Sequence, residues 1–227
     1  MRILCLECSA KAASCCIAEE GIILGSAFSN VPLTHSQTLM PMVENVLNAT
    51  RMDMGDIDCF AIAAGPGSFT GIRIGISAVK GMCIAKNKPC IPVSTLSAMA
   101  YMHCDKDAVI CPVMDARCSQ VYNALFRAKD GKITRLCEDR ALLASELIDE
   151  LKNIDDTVIV TGDGADMFMA LGVPDNVVCA PSHLKIQNAV GVALAAKTDD
   201  AVDGAALMPI YLRLPQAERE LKARSKK

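Results

Sequence analysis

Between residues 59 and 85 the chain has to end a strand, turn within a few residues and begin a helix. The turn is written in glycine, since Gly65–Gly75 reads GPGSFTGIRIG. The apolar run Cys59–Ala64 before it fits a buried strand, and Ile72–Ala85 after it fits a helix. Gly65, Gly67 and Gly71 let the backbone turn sharply and approach a neighbour closely, while Ser68 and Thr70 supply oxygens that cap a helix. A strand, a glycine turn and a helix N-terminus in this order also suit an anion. Standard phosphate codes do not match. A P-loop needs four residues between its glycines and then Gly-Lys-Ser/Thr, and a dinucleotide fingerprint needs its third glycine one place before Gly71. The segment reads either as a structural turn or as an anion cradle of no standard type.

Composition narrows the class. At 227 residues, 52% hydrophobic and with mean hydropathy +0.29, the chain has material for one large domain or two lobes, and apolar surface to cover. No apolar run approaches a membrane span, and Glu7 stops the Ile3–Leu6 run too early for a signal peptide. These features predict a cytoplasmic protein, without a membrane partner, that works as an oligomer or a complex subunit. A formal net charge of −3 gives no electrostatic footprint for nucleic acid. The twelve cysteines fit reduced thiols packed as small hydrophobes. Cys5-Leu-Glu-Cys8 is a C-x-x-C, but on a strand that spacing points the thiols to opposite faces, so it is assigned no metal.

Along the chain, 2–8, 13–19 and 22–29 read as three strands. A helix follows from near Thr38, because Pro41 belongs in a first turn. After the glycine turn and the helix of about 72–85, Cys90–Val93 is a strand and Ser94-Thr95 caps a short helix to about His103. Asp105–Asp107 marks a boundary, after which the pattern restarts: Val109–Asp115, Gln120–Arg127, a hairpin turn at Lys129–Lys132, and Ile133–Cys137. Ser145 caps a helix Glu146–Lys152. Thr157–Thr161 and Val177–Cys179 are strands, Gly162-Asp163-Gly164 turns into a helix reaching about Leu171, and Asn188–Lys197 is a helix. Pro209–Arg213 is extended.

Several segments stand in one order: His35-Ser36-Gln37 to Pro41, the glycine segment, Ser94-Thr95-Leu96, Met114-Asp115-Ala116-Arg117 with Val121-Tyr122, and Pro209 to Arg213. Together they resemble the TsaB (YeaZ) family of the bacterial tRNA threonylcarbamoyladenosine system, over nearly the whole chain. The resemblance implies an α/β fold of the actin-like, sugar-kinase-like (ASKHA) class, with two ribonuclease-H-like lobes and mixed sheets. Residues 1–104 would form the N-terminal lobe with the dimerization face, 105–214 a truncated C-terminal lobe, and 215–227 a charged tail. It also implies a non-catalytic dimerization subunit that pairs with a TsaD-like catalytic paralogue and is joined by a TsaE-like ATPase. Alone it would form a homodimer, and it would meet tRNA only through the complex. ATP/ADP and metal would enter through the partners, with no cofactor held by this chain.

The residues test that implication. Metal-dependent transfer or a metallopeptidase needs paired histidines at helical spacing, and His35, His103 and His183 are isolated. A nucleotide-binding ATPase of the same fold is the alternative; it would use an acidic residue and hydroxyls in the first hairpin. Here Glu7-Cys8-Ser9 replaces the family's usual Asp-Thr-Ser, which weakens such a role. Glu7, Ser9, Gly65, Gly67, Ser68 and Thr70 remain the candidate nucleotide or phosphate contacts, and Gly162-Asp163-Gly164 a second turn. A stand-alone RNA-binding module is disfavoured by the acidic balance. No residue is assigned catalysis, and Asp115 with Arg117 reads as a structural pair or a cleft-facing loop.

The expected mechanism is contact. The two first-half helices pack together and present Leu39, Met42, Val43, Val46, Ile72, Ile76 and Val79 in part to matching helices of the partner, with Arg73 and Lys80 pairing across the interface. The same patch would serve the homodimer. On this expectation Val43→Glu or Ile76→Glu leaves the fold soluble and abolishes pairing.

Overall fold

The computed structural model describes residues 1–213. The charged tail expected over 215–227 lies outside them. The first sheet contains β1 (Arg2–Glu7), β2 (Ala13–Glu19), β3 (Ile22–Ser29), β4 (Cys59–Gly65) and β5 (Cys90–Ser94), in the order β3-β2-β1-β4-β5. β1 runs antiparallel to β2 and parallel to β4, and β4 parallel to β5. A central strand covered on both faces reads as continuously apolar, and every residue of β4 is buried. One face carries α1 (His35–Thr50) and α2 (Phe69–Lys86); the other carries α3 (Thr95–Tyr101) and α7 (Ala189–Ala195).

The second sheet repeats the plan. β6 (Ala108–Asp115), β7 (Gln120–Asn123), β10 (Arg140–Leu143), β11 (Val158–Thr161) and β12 (Val177–Cys179) lie in the order β10-β7-β6-β11-β12, with β8 (Phe126–Lys129) on β6 and β9 (Lys132–Arg135) on β8. Helices α4 (Ala144–Leu151), α5 (Ala165–Met169) and α6 (Ser182–Lys185) complete the α-helices of the described residues, and a 3-10 turn covers Thr198–Asp200. Two mixed sheets, each an antiparallel hairpin set extended by parallel strands, make this the α/β actin-like, sugar-kinase-like fold. The last third of the chain returns to the first sheet: α7 covers β1, β2 and β4, Leu207 enters the core under α1 and α2, and Ile210 N–H donates to Ala64 O at 2.8 Å.

Several local expectations change. α1 starts at His35, so Pro41 lies inside it. Pro41 and Gln37, whose carbonyl loses its helical donor, are both exposed, and water can take that carbonyl. The expected strand Gln120–Arg127 breaks into β7 and β8, because Asn123 turns its Nδ2 onto Pro112 O (2.9 Å) and Ala124 O (3.0 Å) between them. α4 begins at Ala144 and not after Ser145: Leu143 N–H donates to the Glu146 carboxylate at 2.9 Å. α7 is shorter than Asn188–Lys197, with Asn188 Oδ1 accepting from Val190 N–H at 2.9 Å as its cap.

Candidate functional site

The glycine segment is built for contact with its own chain. Ser68 Oγ accepts from Gly71 N–H at 3.3 Å and caps α2, while Ser68 N–H donates to Ser9 O at 2.6 Å. Gly65 has φ +127°, and a Cβ there would collide with Ile210 O. At Gly71 a Cβ would collide with Cys8 O, and the Cys8 thiol donates to Gly71 O at 3.2 Å. Gly67 lies against Ser9, and Thr70 is exposed on the first turn of α2. The close approach that the glycines permit is therefore taken up by the first hairpin and the C-terminal segment.

Beside it, between the sheets, a cleft of about 500 Å³ is lined by residues that include Ser9, Gly67, Ser68, Asp115, Arg117, Tyr122 and Asp163. Glu7, expected as a contact, is buried beneath the cleft and does not line it. Glu7 Oε1 accepts from Ser9 N–H at 2.5 Å, and Oε2 has no hydrogen-bond partner. Burial pushes its carboxyl up to about 7, against the hydrogen bonds from Ser9 that favour the anion. Asp163 accepts from Gln187 Nε2 at 2.7 Å, and burial raises its carboxyl too. Among the described residues neither carboxyl has a salt-bridge partner. A phosphate in this cleft would meet Lys11 and Arg117 but also the Asp115 and Asp163 carboxyls, which oppose it. Asp115 and Arg117 form an exposed ion pair at 3.2 Å on the cleft rim, with Asp115 also accepting from Arg117 N–H.

The three histidines stay apart. His35 Nε2 lies 2.8 Å from Ala10 O, His103 Nε2 lies 3.1 Å from Thr161 Oγ1, and His183 sits on α6. Among the described residues no group of three or more His, Cys, Asp or Glu is placed to hold a metal ion.

The helices correct the partner patch. Leu39, Met42, Val43, Val46, Ile72, Ile76 and Val79 are all buried in one core cluster with β1, β2 and β4. An apolar helix stripe first covers the sheet of its own chain, and these side chains are spent largely on that core, with only the edge of Val43 reaching the α1 groove. Arg73 and Lys80 are engaged at the surface by their own chain: Arg73 Nε donates to Tyr211 Oη at 2.8 Å, and Lys80 Nζ to Ala205 O at 3.3 Å. What α1 presents outward is Ser36, Gln37, Met40, Pro41, Glu44, Asn45, Asn48 and Ala49; α2 presents Thr70, Arg73, Ser77, Gly81, Ile84, Ala85 and Lys86. Ser77, Gly81 and Ala85 repeat every four residues and form a shallow row, beside which Ile84 is 76% exposed. Along α1, Met40, Val43, Leu47, Met52 and Met54 line an apolar groove of about 540 Å³. Periodicity located the two helices but not the small-residue row on the outer face of α2 or the methionines at 52 and 54, which follow no apolar period.

Comparison with known proteins gives the family and the fold. The family model described as TsaD, tRNA N6-adenosine threonylcarbamoyltransferase, matches residues 30–219. The chain is 31% identical to the tRNA threonylcarbamoyladenosine biosynthesis protein TsaB of Escherichia coli, over 76% of this chain and 75% of that one. It is 29% identical to TsaB of Bacillus subtilis, over 96% of both. YeaZ from Pseudomonas aeruginosa has the same fold, with a TM-score of 0.77 at 23% identity, covering 93% of this chain and 99% of that structure.

Proposed function

We propose that this chain, which belongs to the TsaB family of tRNA threonylcarbamoyladenosine biosynthesis proteins, serves that modification as a non-catalytic subunit that pairs with a TsaD-like paralogue. The observation that carries the pairing is the outward face of α2, where the row Ser77, Gly81, Ala85 beside Ile84 lets a partner helix approach closely. The methionine groove along α1 adds an adaptable apolar seat next to it. The TsaD match spans both helices, which supports a paralogue with an equivalent pair, so that two helices from each protein would pack together. In this reading the chain makes and breaks no bond. A TsaE-like ATPase joins the pair, nucleotide and metal enter through the partners, tRNA is met only in the complex, and the assembly is cytoplasmic.

Reconstitution tests it. Threonylcarbamoyl transfer to tRNA is measured with the paralogue and the ATPase, with and without this chain, and pairing is read by gel filtration. Gly81→Glu and Met40→Glu should leave the isolated chain folded and abolish both pairing and transfer. Pairing that survives both substitutions, or turnover of ATP or peptide by the isolated chain, would refute the proposal.

A further inference from the structure

We infer that the pocket between β5 and the β8–β9 hairpin binds a small zwitterion, an α-amino acid with a branched apolar side chain. The pocket, of about 280 Å³, lies where the edge strand of the first sheet meets that hairpin of the second, beside α3 and the chain that follows α7. This volume falls just below the ~300–1,000 Å³ of sites for drug-sized ligands and suits a smaller molecule. Ile91, Val93, Phe126 and Ile133 supply an apolar wall.

The polar wall is fixed in part before any ligand arrives. Arg135 Nη1 donates to Asp139 Oδ1 at 2.5 Å and Nη2 to Ser97 Oγ at 2.6 Å, and the guanidinium lies 4.7 Å from the centroid of Phe126. Ser94 Oγ donates to the other oxygen of Asp139 at 2.5 Å, so the acid that holds Arg135 is itself held. A cation pinned in this way costs little to order when a ligand binds, and Asp139 balances its charge. Arg135 Nε and the Tyr101 hydroxyl have no hydrogen-bond partner among the described residues and are left to a ligand.

Lys197 and Asp200 line the same pocket and carry opposite charges, yet they do not meet. No ion pair or hydrogen bond joins either side chain to the other or to any described residue. Arg135 with Asp139 and Lys197 with Asp200 leave the surroundings neutral overall, with the two free charges held apart. A simple anion would be opposed by Asp200, and a simple amine by Lys197. A ligand of zero net charge that carries a carboxylate beside an ammonium satisfies both: Lys197 and Arg135 Nε take the carboxylate, Asp200 the ammonium, and the apolar wall the side chain. Such a molecule would touch β5, β9 and the segment after α7 at once, and so couple the two sheets.

The pocket lies on the α3–α7 side of the first sheet, away from α1 and α2, so this inference does not rest on the pairing proposed above. Isothermal titration calorimetry of the full-length chain should show saturable binding of L-leucine. Isocaproate, which lacks the ammonium, and isoamylamine, which lacks the carboxylate, should bind at least about tenfold more weakly. Lys197→Gln and Asp200→Asn should each weaken L-leucine by at least about tenfold with circular dichroism unchanged, and Gly81→Glu should leave its binding intact. Asp200→Asn should also remove the preference for L-leucine over isocaproate. No saturable binding of L-leucine up to about 10 mM would overturn the inference, as would binding that survives both pocket substitutions. Isocaproate bound as tightly as L-leucine by the wild type would make the pocket a plain anion site and overturn it equally.

Discussion

Arg73 and Tyr211, 138 residues apart, are joined by a 2.8 Å hydrogen bond from the Arg73 Nε to the Tyr211 hydroxyl. The same guanidinium lies 5.7 Å from the centroids of Tyr211 and Phe69, whose rings stack at 4.5 Å. This clasp holds the C-terminal segment to the first turn of α2. Tyr211→Ala should therefore cost about 1–2 kcal/mol in urea unfolding, and Tyr211→Phe, which keeps the stack, about half as much. Equal losses in the two variants would mean that the hydroxyl alone matters.

Buried Glu7 should leave a pH signature. In the folded chain it keeps its proton up to about pH 7, whereas unfolded it releases the proton near 4.5. Its contribution to stability is complete below about pH 4.5 and is lost as pH rises through 7. Asp163, also raised by burial, adds a slope of the same sign. Glu7→Gln keeps an acceptor for Ser9 N–H and removes the Glu7 part, so the variant should gain up to about 3 kcal/mol on wild type at pH 8 and little at pH 4.5. Chemical denaturation at both pH values measures it, and parallel curves would contradict the assignment.

Two glycines of one helix should respond oppositely to the same substitution. Gly71→Ala drives a methyl into the Cys8 carbonyl, a backbone group that cannot yield cheaply, and should destabilise by about 2–4 kcal/mol. A Cβ at Gly81 meets nothing within 4 Å, and Gly81→Ala should stabilise the isolated chain by about 0.5–1 kcal/mol. Thermal unfolding of the pair decides it.

Val43→Glu and Ile76→Glu should fail at folding. Both positions lie in the core between helix and sheet, and a carboxylate there has no partner. Soluble expression and circular dichroism separate these from Met40→Glu, which changes an exposed position and should leave the fold intact.

Strand alternation placed β2 and β3 at their observed bounds, and the glycine turn placed the start of α2 only within three residues, because Phe69–Gly71 carry no helical apolar period of their own. Pro41 misled because its cost depends on whether Gln37 O can reach water, which is a property of the folded surface. Leu39 and Ile76 look alike whether a helix covers its own sheet or a partner's. Only the depth of the sheet beneath decides, and that depends on α7 and Leu207 arriving from far along the chain. The tie from Arg73 to Tyr211 leaves no periodic trace at all.

The return of α7 and Ile210 to the first sheet sets an order in time. During synthesis β1, β2 and β4 emerge early, yet the helix that covers one of their faces and the residue that bonds Ala64 are translated near the end. Until then the nascent chain carries an apolar sheet face lined by Cys5, Ala61 and Ile91 with no α7 to cover it. The first half cannot finish folding before the second half is made, and a ribosome stalled before residue 189 would hold out a sticky intermediate for chaperones to bind.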